Sequence, residues 1–341
     1  MVFGFSEKDL IVMRNLTLNK KLLILCAFGF VLFLSSFFFD RNSSSQKPVK
    51  SALLNQKYKD SISKIIIETP ALKEETKEND SLNEQGAKED PKKDEIVLSK
   101  EGDLFLLYSY GIITQADEKN IQVLLENSSR LRNLYKISDS KAAKESFFLS
   151  EELASTVTFF INDGTEVSKI FFGIKDSLLS RIYVRSGKND VCYETEDDLS
   201  RFLTASVDYW SEGKIICETE NPVSFVWENL NFNDGSDEFY KIKDKMLSFR
   251  HGKIMPIDRS NAAILKEKPV SFLTVQGGEG RILNILFFDF DSSFGESYLY
   301  TKNVIPSEFD SLETNKAFSV QNALFEISGW TYESIKNLFE N

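Results

Sequence analysis

The chain has 341 residues, 27% of them charged, and a net charge of −11. Acidic chains repel phosphate backbones, and no basic stretch interleaved with aromatic residues offsets this charge, so we expect no nucleic-acid partner. One histidine and three cysteines are too few and too scattered for a zinc, haem or iron–sulfur site. The composition predicts a globular body without a metal or other cofactor.

The first predicted element is an uncharged apolar run from Leu22 to Phe39. As a helix it would span about 27 Å, close to the hydrocarbon thickness of a bilayer. Cys26 comes too early in the run for a lipoprotein anchor, and Ser35–Phe39 is a poor signal-peptidase site. The run therefore predicts an uncleaved transmembrane signal anchor, over residues 22–39, that contacts the lipid bilayer.

Basic residues on both sides of this run give a weak indication of orientation. Lys20 and Lys21 abut its start and follow a short tail, while Arg41 abuts its end. Positive charge favours the cytoplasmic side. We expect residues 1–21 to form a cytoplasmic tail and the bulk of the chain to lie outside the cytoplasm.

Two polar segments predict connections rather than folded structure. Residues 40–56 are polar and predict a stalk between the membrane and the folded body. Residues 71–95 are densely charged and contain few large apolar side chains, so they predict a flexible insertion between two strands. A solvated helix over residues 72–79 is the alternative for part of it.

The rest of the chain alternates strand and short-helix patterns. Turns at Gly102 and Gly164 predict hairpins, and Ile121 and Leu124 have the spacing of a helix. A further hairpin is predicted over residues 239–249. Because the order hairpin, helix, hairpin, strand, helix recurs, the sequence predicts an α+β fold of two related lobes, near 57–214 and 215–341, made of antiparallel hairpins with short helices.

Two motifs resemble ligand sites but have simpler interpretations. Gly277–Gly280 resembles a phosphate loop, yet a strand-like segment follows it instead of a helix, which favours a hairpin turn. Phe288–Asp291 alternates rings and carboxylates, so a strand would place both rings on one face and both carboxylates on the other. Two carboxylates on one face are suited to bind a divalent cation, but a strand with one solvent-facing side and one core-facing side explains the pattern without a metal.

Candidate catalytic groups are sparse. Ser61 with Lys64, and Ser138 with Lys141, match a short serine–lysine motif, but its companion motifs are missing. His251 lies in a polar stretch that predicts a solvated turn. We therefore expect no catalytic residues.

Cysteine and aromatic residues give two further candidates. Cys192 and Cys217 would form a disulfide if both lie outside the cytoplasm and come together, and two buried thiols are the alternative. Trp210, next to Tyr209, closes the first predicted lobe. Trp210 either plugs the space between the lobes or, with Tyr209, offers an exposed aromatic contact to a partner.

Eight segments of strand and turn pattern resemble the segments of a known family: Leu98–Phe105, Phe148–Ser150, Thr156–Phe159, Asp163–Gly164, Ile170–Gly173, Ile182–Arg185, Val191–Tyr193 and Asp208–Trp210. The family that they resemble is the domain-of-unknown-function 4340 family of bacterial envelope proteins. The resemblance covers roughly residues 60–216 well and the remainder loosely, and the charged insertion departs from it. The resemblance implies a single-pass protein of the bacterial inner membrane with a periplasmic, β-rich body that accompanies ABC-type transporters of the gliding-motility kind.

Three functions follow as hypotheses. The first is a non-catalytic, membrane-anchored accessory or scaffold protein beside ABC transporter subunits. The second is a stand-alone envelope module that binds a glycan or another ligand in a deep pocket lined by aromatics. The third is a hydrolase of envelope polymers, which needs two carboxylates facing each other across a cleft.

Overall fold

Alternation of buried and less buried side chains organises the fold. In Ser271–Gly277 every second residue is buried, the period of a strand with one apolar face. The computed structural model of the protein describes residues 47–70, 93–217, 221–257, 263–278, 282–292, 295–302 and 323–340. In these ranges strand residues outnumber helical ones, and the strands form two antiparallel sheets.

The first sheet has ten strands in the order β1-β6-β10-β9-β8-β7-β2-β3-β4-β5. Their bounds are Val49–Ser51 (β1), Ile62–Pro70 (β2), Lys93–Glu101 (β3), Leu104–Ser109 (β4), Ile112–Gln115 (β5), Arg132–Ser138 (β6), Ser155–Ile161 (β7), Glu166–Asp176 (β8), Arg181–Ser186 (β9) and Cys192–Glu196 (β10). The β3–β4 and β7–β8 turns contain Gly102 and Gly164, with φ of +62° and +81°, a backbone region that glycine adopts without strain.

The second sheet has seven strands in the order β12-β11-β14-β15-β16-β17-β13. Their bounds are Pro222–Trp227 (β11), Leu230–Asn233 (β12), Ile254–Pro256 (β13), Ser271–Gly277 (β14), Ile282–Ser292 (β15), Gly295–Lys302 (β16) and Ala323–Ser328 (β17).

Helices in the described ranges are short. They are Glu118–Ser129 (α1), Lys141–Ser146 (α2), Val207–Trp210 (α3), Asp237–Met246 (α4) and Gly329–Glu340 (α5), with 3₁₀ turns at Gln56–Ser61, Ser200–Phe202 and Ile264–Lys266. Their caps are typical: the side chain of Asp117 accepts hydrogen bonds from two backbone N–H groups at the start of α1, and that of Ser236 accepts one at the start of α4.

The two sheets share one strand order. The run β6-β10-β9-β8-β7-β2-β3 in the first sheet corresponds, position by position, to β13-β17-β16-β15-β14-β11-β12 in the second. In each set a helix, α1 or α4, precedes strand β6 or β13, and the chain then crosses over to a meander of four consecutive antiparallel strands. The first sheet adds β1 at one edge and β4 and β5 at the other.

Each sheet carries a large apolar core on one face and a smaller cluster on the other. The first core packs α1 and Trp210 against the sheet. The second packs α4 and α5 against a group rich in aromatic rings, and it also receives Ile112 from β5 of the first sheet. From Val49 onward the chain forms one compact unit that contains both sheets.

Charged clamps hold the end of the first sheet where β8 and β10 finish. Asp198 accepts hydrogen bonds from the buried Arg132 and from Arg130, each at 2.8 Å. Asp197 pairs with Lys175 at 2.6 Å and accepts from Ser200. These contacts fasten the chain after β10 to the β8–β9 hairpin and to the turn before β6.

The predicted fold class is wrong. We expected an α+β fold of two lobes behind a transmembrane helix, but the described chain is dominated by two antiparallel sheets, and none of its helices is long and apolar enough to cross a membrane. The predicted hairpin over 239–249 is helix α4, because Phe239, Ile242 and Met246 are buried at helical spacing.

Several other predictions fall partly or wholly outside the described residues. The tail at 1–21, the anchor at 22–39 and the insertion at 71–92 lie outside them. Residues 49–51, assigned to the stalk, pair with β6 as strand β1, and residues 40–46 lie outside the described ones. Residues 93–95, assigned to the insertion, already belong to β3. The lobe boundaries near 57–214 and 215–341 stay a prediction.

Candidate functional site

The segment between the two sheets gathers most of the predicted candidates. Trp210 ends α3 with its ring fully buried in the first core, and its indole N–H donates to the carbonyl of Thr204 at 2.9 Å. The Trp210 carbonyl accepts from the N–H of Asp117 at 2.7 Å. Trp210 is therefore a packing residue of the first core, and it offers no exposed contact to a partner.

Tyr209 is partly accessible beside it. Its ring lies 5.1 Å from that of Trp210 and 6.4 Å from that of Phe202, both at steep angles. Burial raises the pKa of its hydroxyl. A half-buried ring held on two sides has limited area left for a partner.

The backbone of Glu212 ties the two sheets together. Its N–H donates to the carbonyl of Gln115, in edge strand β5, at 2.9 Å. Its carbonyl lies 2.8 Å from Nε2 of His251, which precedes β13 of the second sheet. The backbone of one residue is thus held by a residue from each side.

His251 is a structural group at this junction rather than the solvated turn residue that we expected. Its Nδ1 lies 3.0 Å from the carbonyl of Gly252, and its ring centroid lies 4.9 Å from that of Phe325. Burial lowers the pKa of the imidazole, although the two carbonyls oppose that shift. Both ring nitrogens face backbone oxygens, so neither is aimed at a nucleophile.

Two buried polar side chains complete the junction. The Sγ of Cys217 lies 3.6 Å from Oε1 of Gln115. The ammonium of Lys302 donates to the carbonyl of Lys214 at 3.2 Å and lies 5.4 Å from the ring centroid of Phe325. Both side chains have hydrogen-bond partners within the protein, so the junction is a packed polar contact between the two sheets.

Cys192 lies elsewhere, in the small cluster behind the first sheet with Leu149 and Phe171. Burial raises the pKa of its thiol, although the neighbouring Arg185 and Lys144 act in the opposite direction. Cys192 and Cys217 are both buried thiols, and no disulfide joins them.

The serine–lysine motifs have structural partners. The hydroxyl of Ser61 donates to the carbonyl of Tyr58 at 2.9 Å, and that of Ser138 to Ser140 at 3.1 Å. Lys141 lies 3.9 Å from Glu145. Neither described serine is hydrogen-bonded to the lysine of its motif.

The glycine motif at 277–280 and the aspartate motif at 288–291 belong to strands β14 and β15 and the segment between them. Gly277 ends β14 and precedes β15, in agreement with a hairpin turn, although residues 279–281 lie outside the described ones. Phe288 and Phe290 pack in the cluster behind the second sheet, while Asp289 is exposed. The side chain of Asp291 lies outside the described residues. Across the described ranges, no group of three or more His, Cys, Asp or Glu residues is placed to hold a metal ion.

Sequence reasoning missed an exposed apolar end of the first sheet. Leu178 and Leu179, in the β8–β9 turn, are 97% and 59% exposed, and Leu131, just before β6, is 71% exposed. The signal was available, since two adjacent leucines between serines are unusual in a short hairpin turn.

A shallow hollow lies on the second sheet. It has a volume of about 490 Å³ and is lined by Asn231–Ser236 and Glu238, with Phe232 its one aromatic residue. A ligand-binding module, the second hypothesis, requires a deep pocket rich in aromatic side chains, and this hollow is neither deep nor rich in them.

The chain matches no protein-family model, no curated protein and no solved structure.

Proposed function

We propose that the protein is a non-catalytic, membrane-anchored accessory or scaffold subunit that works outside the cytoplasm of a bacterium, beside an ABC-type transport system. The observation that carries the proposal is the uncharged run Leu22–Phe39, followed by a body whose sheet begins at Val49. A run of that length and composition is typical of a helix that spans a bilayer.

The use of reactive side chains in the body supports a scaffold role. His251 contacts backbone carbonyls at the junction, Cys192 is buried behind a sheet, and the motif serines donate to neighbouring protein oxygens. Because these histidine, cysteine and serine side chains serve packing and hydrogen bonding, they favour an interaction protein over a hydrolase. The ABC-type partner rests on the family resemblance of residues 60–216.

Co-purification tests this function. The full chain, carrying a C-terminal affinity tag, is extracted from membranes of its own host in a mild detergent. We expect ABC transporter subunits to be retained in stoichiometric amounts. A version with several charged residues introduced into 22–39 is the matched control, and it should lose both the membrane and the subunits. Recovery of the intact chain alone would contradict the proposal.

A further inference from the structure

Three leucines are exposed at one end of the first sheet, beside the ion pairs of Asp197 and Asp198. Strands β8 and β10 end, and β6 and β9 begin, at the same end, because neighbours in the sheet are antiparallel. Leu131, Leu178 and Leu179 are exposed there, and we name these three residues the leucine end. At the opposite end the β9–β10 turn is Gly187–Val191, which contains Lys188, Asn189 and Asp190.

We infer that the leucine end dips into the surface of the lipid bilayer, as a second membrane contact beside the anchor. This inference rests on the proposed function, because it takes the anchor at 22–39 as given. It adds a membrane-facing surface to the folded body itself.

The turn that presents the leucines is fixed on both sides. The carboxylate of Asp176 accepts from the N–H groups of Leu178 and Leu179, at 2.9 and 3.1 Å. The carbonyl of Ser180 accepts from the N–H of Asp197 at 2.9 Å. A turn that is already ordered loses little conformational entropy when its side chains enter another phase.

Two basic side chains beside the leucine end are paired with carboxylates of the protein. Lys175 pairs with Asp197, and Arg181 pairs with Glu194 at 2.8 Å. Paired charges cost less to bring near a bilayer than single ones, because each partner replaces part of the water that the other loses. The side chains of Lys175 and Arg181 therefore approach the lipid headgroups as members of ion pairs.

Lipid suits this surface better than a protein partner does. Three leucines on a projecting end are far fewer than the roughly 20–30 residues a side of a stable protein interface. A fluid bilayer needs no complementary shape, and each leucine side chain that leaves water for hydrocarbon strengthens the contact. A weak contact of this kind becomes effective when the body is already tethered nearby.

The tether is long enough for this contact. Residues 40–48 span at most about 30 Å when fully extended. Val49 pairs with Leu134 in β6, and β6 is separated from β9 by β10 alone. Three strand spacings and three residues along the strand place the β8–β9 turn about 20 Å from Val49. The turn is therefore within reach of the bilayer that would hold Phe39.

Depth-dependent fluorescence quenching tests the inference. The full-length Leu178→Cys variant is labelled with an environment-sensitive nitrobenzoxadiazole dye and reconstituted into vesicles of phosphatidylethanolamine and phosphatidylglycerol. We expect emission to shift to shorter wavelength and to be quenched by lipids with a nitroxide in the upper acyl chain. The unsubstituted chain, with its native cysteines, measures background labelling.

Ile137→Cys is the matched control, because Ile137 is 41% exposed on β6 toward the opposite end of the same sheet. Its label should keep the emission of an aqueous dye. A second variant combines Leu131→Cys with Leu178→Asp and Leu179→Asp, and should lose most of the quenching that Leu131→Cys shows alone.

The outcomes separate this inference from the anchor. Vesicle flotation after an alkaline carbonate wash reports on the anchor independently. A chain that floats but shows no quenching at Leu178→Cys, or equal quenching at Ile137→Cys, keeps its anchor and overturns the inference. A chain that does not float overturns both. Loss of a co-purified subunit in Leu178→Asp, with unchanged quenching at Leu131→Cys, would make the end a protein contact and would also overturn it.

Discussion

The two sheets have the same strand order, but different chemistry closes them. After β10 the first sheet is fastened by Asp197 and Asp198 to lysine and arginine side chains. After β17, the equivalent place in the second sheet, helix α5 packs aromatic rings on the core: Phe339 stacks on Trp227 with centroids 5.1 Å apart and planes at 3°. One topology is thus completed by ion pairs in one case and by ring packing in the other.

That difference predicts that the two sheets respond differently to mutation and to acid. Ring packing removes apolar area from water at every pH, whereas a carboxylate clamp depends on its charge. We therefore expect the second sheet to fail mainly by loss of packing, and the end of the first sheet to fail also on acidification.

The largest effect is expected from Trp227→Ala. Trp227 is 1% exposed and touches Phe287 and Phe339, so its removal leaves a cavity and should lower the free energy of unfolding by about 3–5 kcal/mol. Denaturant titration followed by circular dichroism measures this. Trp330→Ala is the control, since Trp330 is 77% exposed. An equal loss in both variants would contradict the packing account.

A smaller loss is expected from Asp198→Ala. The side chain of Arg132 is 1% exposed and that of Asp198 is 22% exposed, so the variant leaves a buried guanidinium without its carboxylate. Breaking a buried pair costs about 3–5 kcal/mol, and the partial exposure of Asp198 reduces this to about 2 kcal/mol. Asp139→Ala removes the exposed pair with Lys136 and should leave the unfolding midpoint unchanged. A neutral Asp198→Ala would show that the clamp does not stabilise the first sheet.

Acid should weaken the same end through Asp197. Burial raises the pKa of this carboxyl, but Lys175 and Ser200 outweigh burial and hold the pKa below its ordinary value of 3.8. A lowered folded-state pKa gives stability that is present above 3.8 and is lost as the pH falls through the folded value. The Asp197→Asn variant should show a flatter acid dependence of unfolding. An unchanged acid limb would refute this role.

The smallest effect is expected at the junction. Burial lowers the pKa of His251 below its ordinary value of 6.5, so the unfolded chain binds its proton first as the pH falls. Stability should therefore decrease as the pH drops below 6.5 toward the folded value. In His251→Gln the dependence in that window should disappear. If stability still decreased with falling pH in the variant, groups other than His251 would be responsible for the dependence.

The sequence predicts local structure better than long-range pairing. The apolar spacing of Ile121 and Leu124 predicts helix α1, which the structure has over Glu118–Ser129. Helix α4 was missed, although Ser236 caps it and acidic residues open it, because the apolar residues of 239–249 also fit two short strands. A short apolar pattern of this kind fits the period of a helix as well as that of a strand. Packing against β11 and α5 selects the helix.

The order of strands and the place of each candidate residue depend on contacts between distant segments. The sequence around Trp210 does not predict that its ring is buried in the first core. His251 looked like a turn residue because its neighbours are polar, whereas its imidazole is held by the carbonyl of Glu212, 39 residues away. The leucine end is formed by strand ends that meet only in the sheet.

Protease accessibility in intact spheroplasts tests the central claim most directly. If Leu22–Phe39 anchors the chain with its body outside the cytoplasm, protease added outside should remove the folded body without lysis and leave a membrane-bound fragment that contains the N-terminal tail. A body that stays intact until the spheroplasts are lysed, or that is released by a carbonate wash alone, would contradict the account.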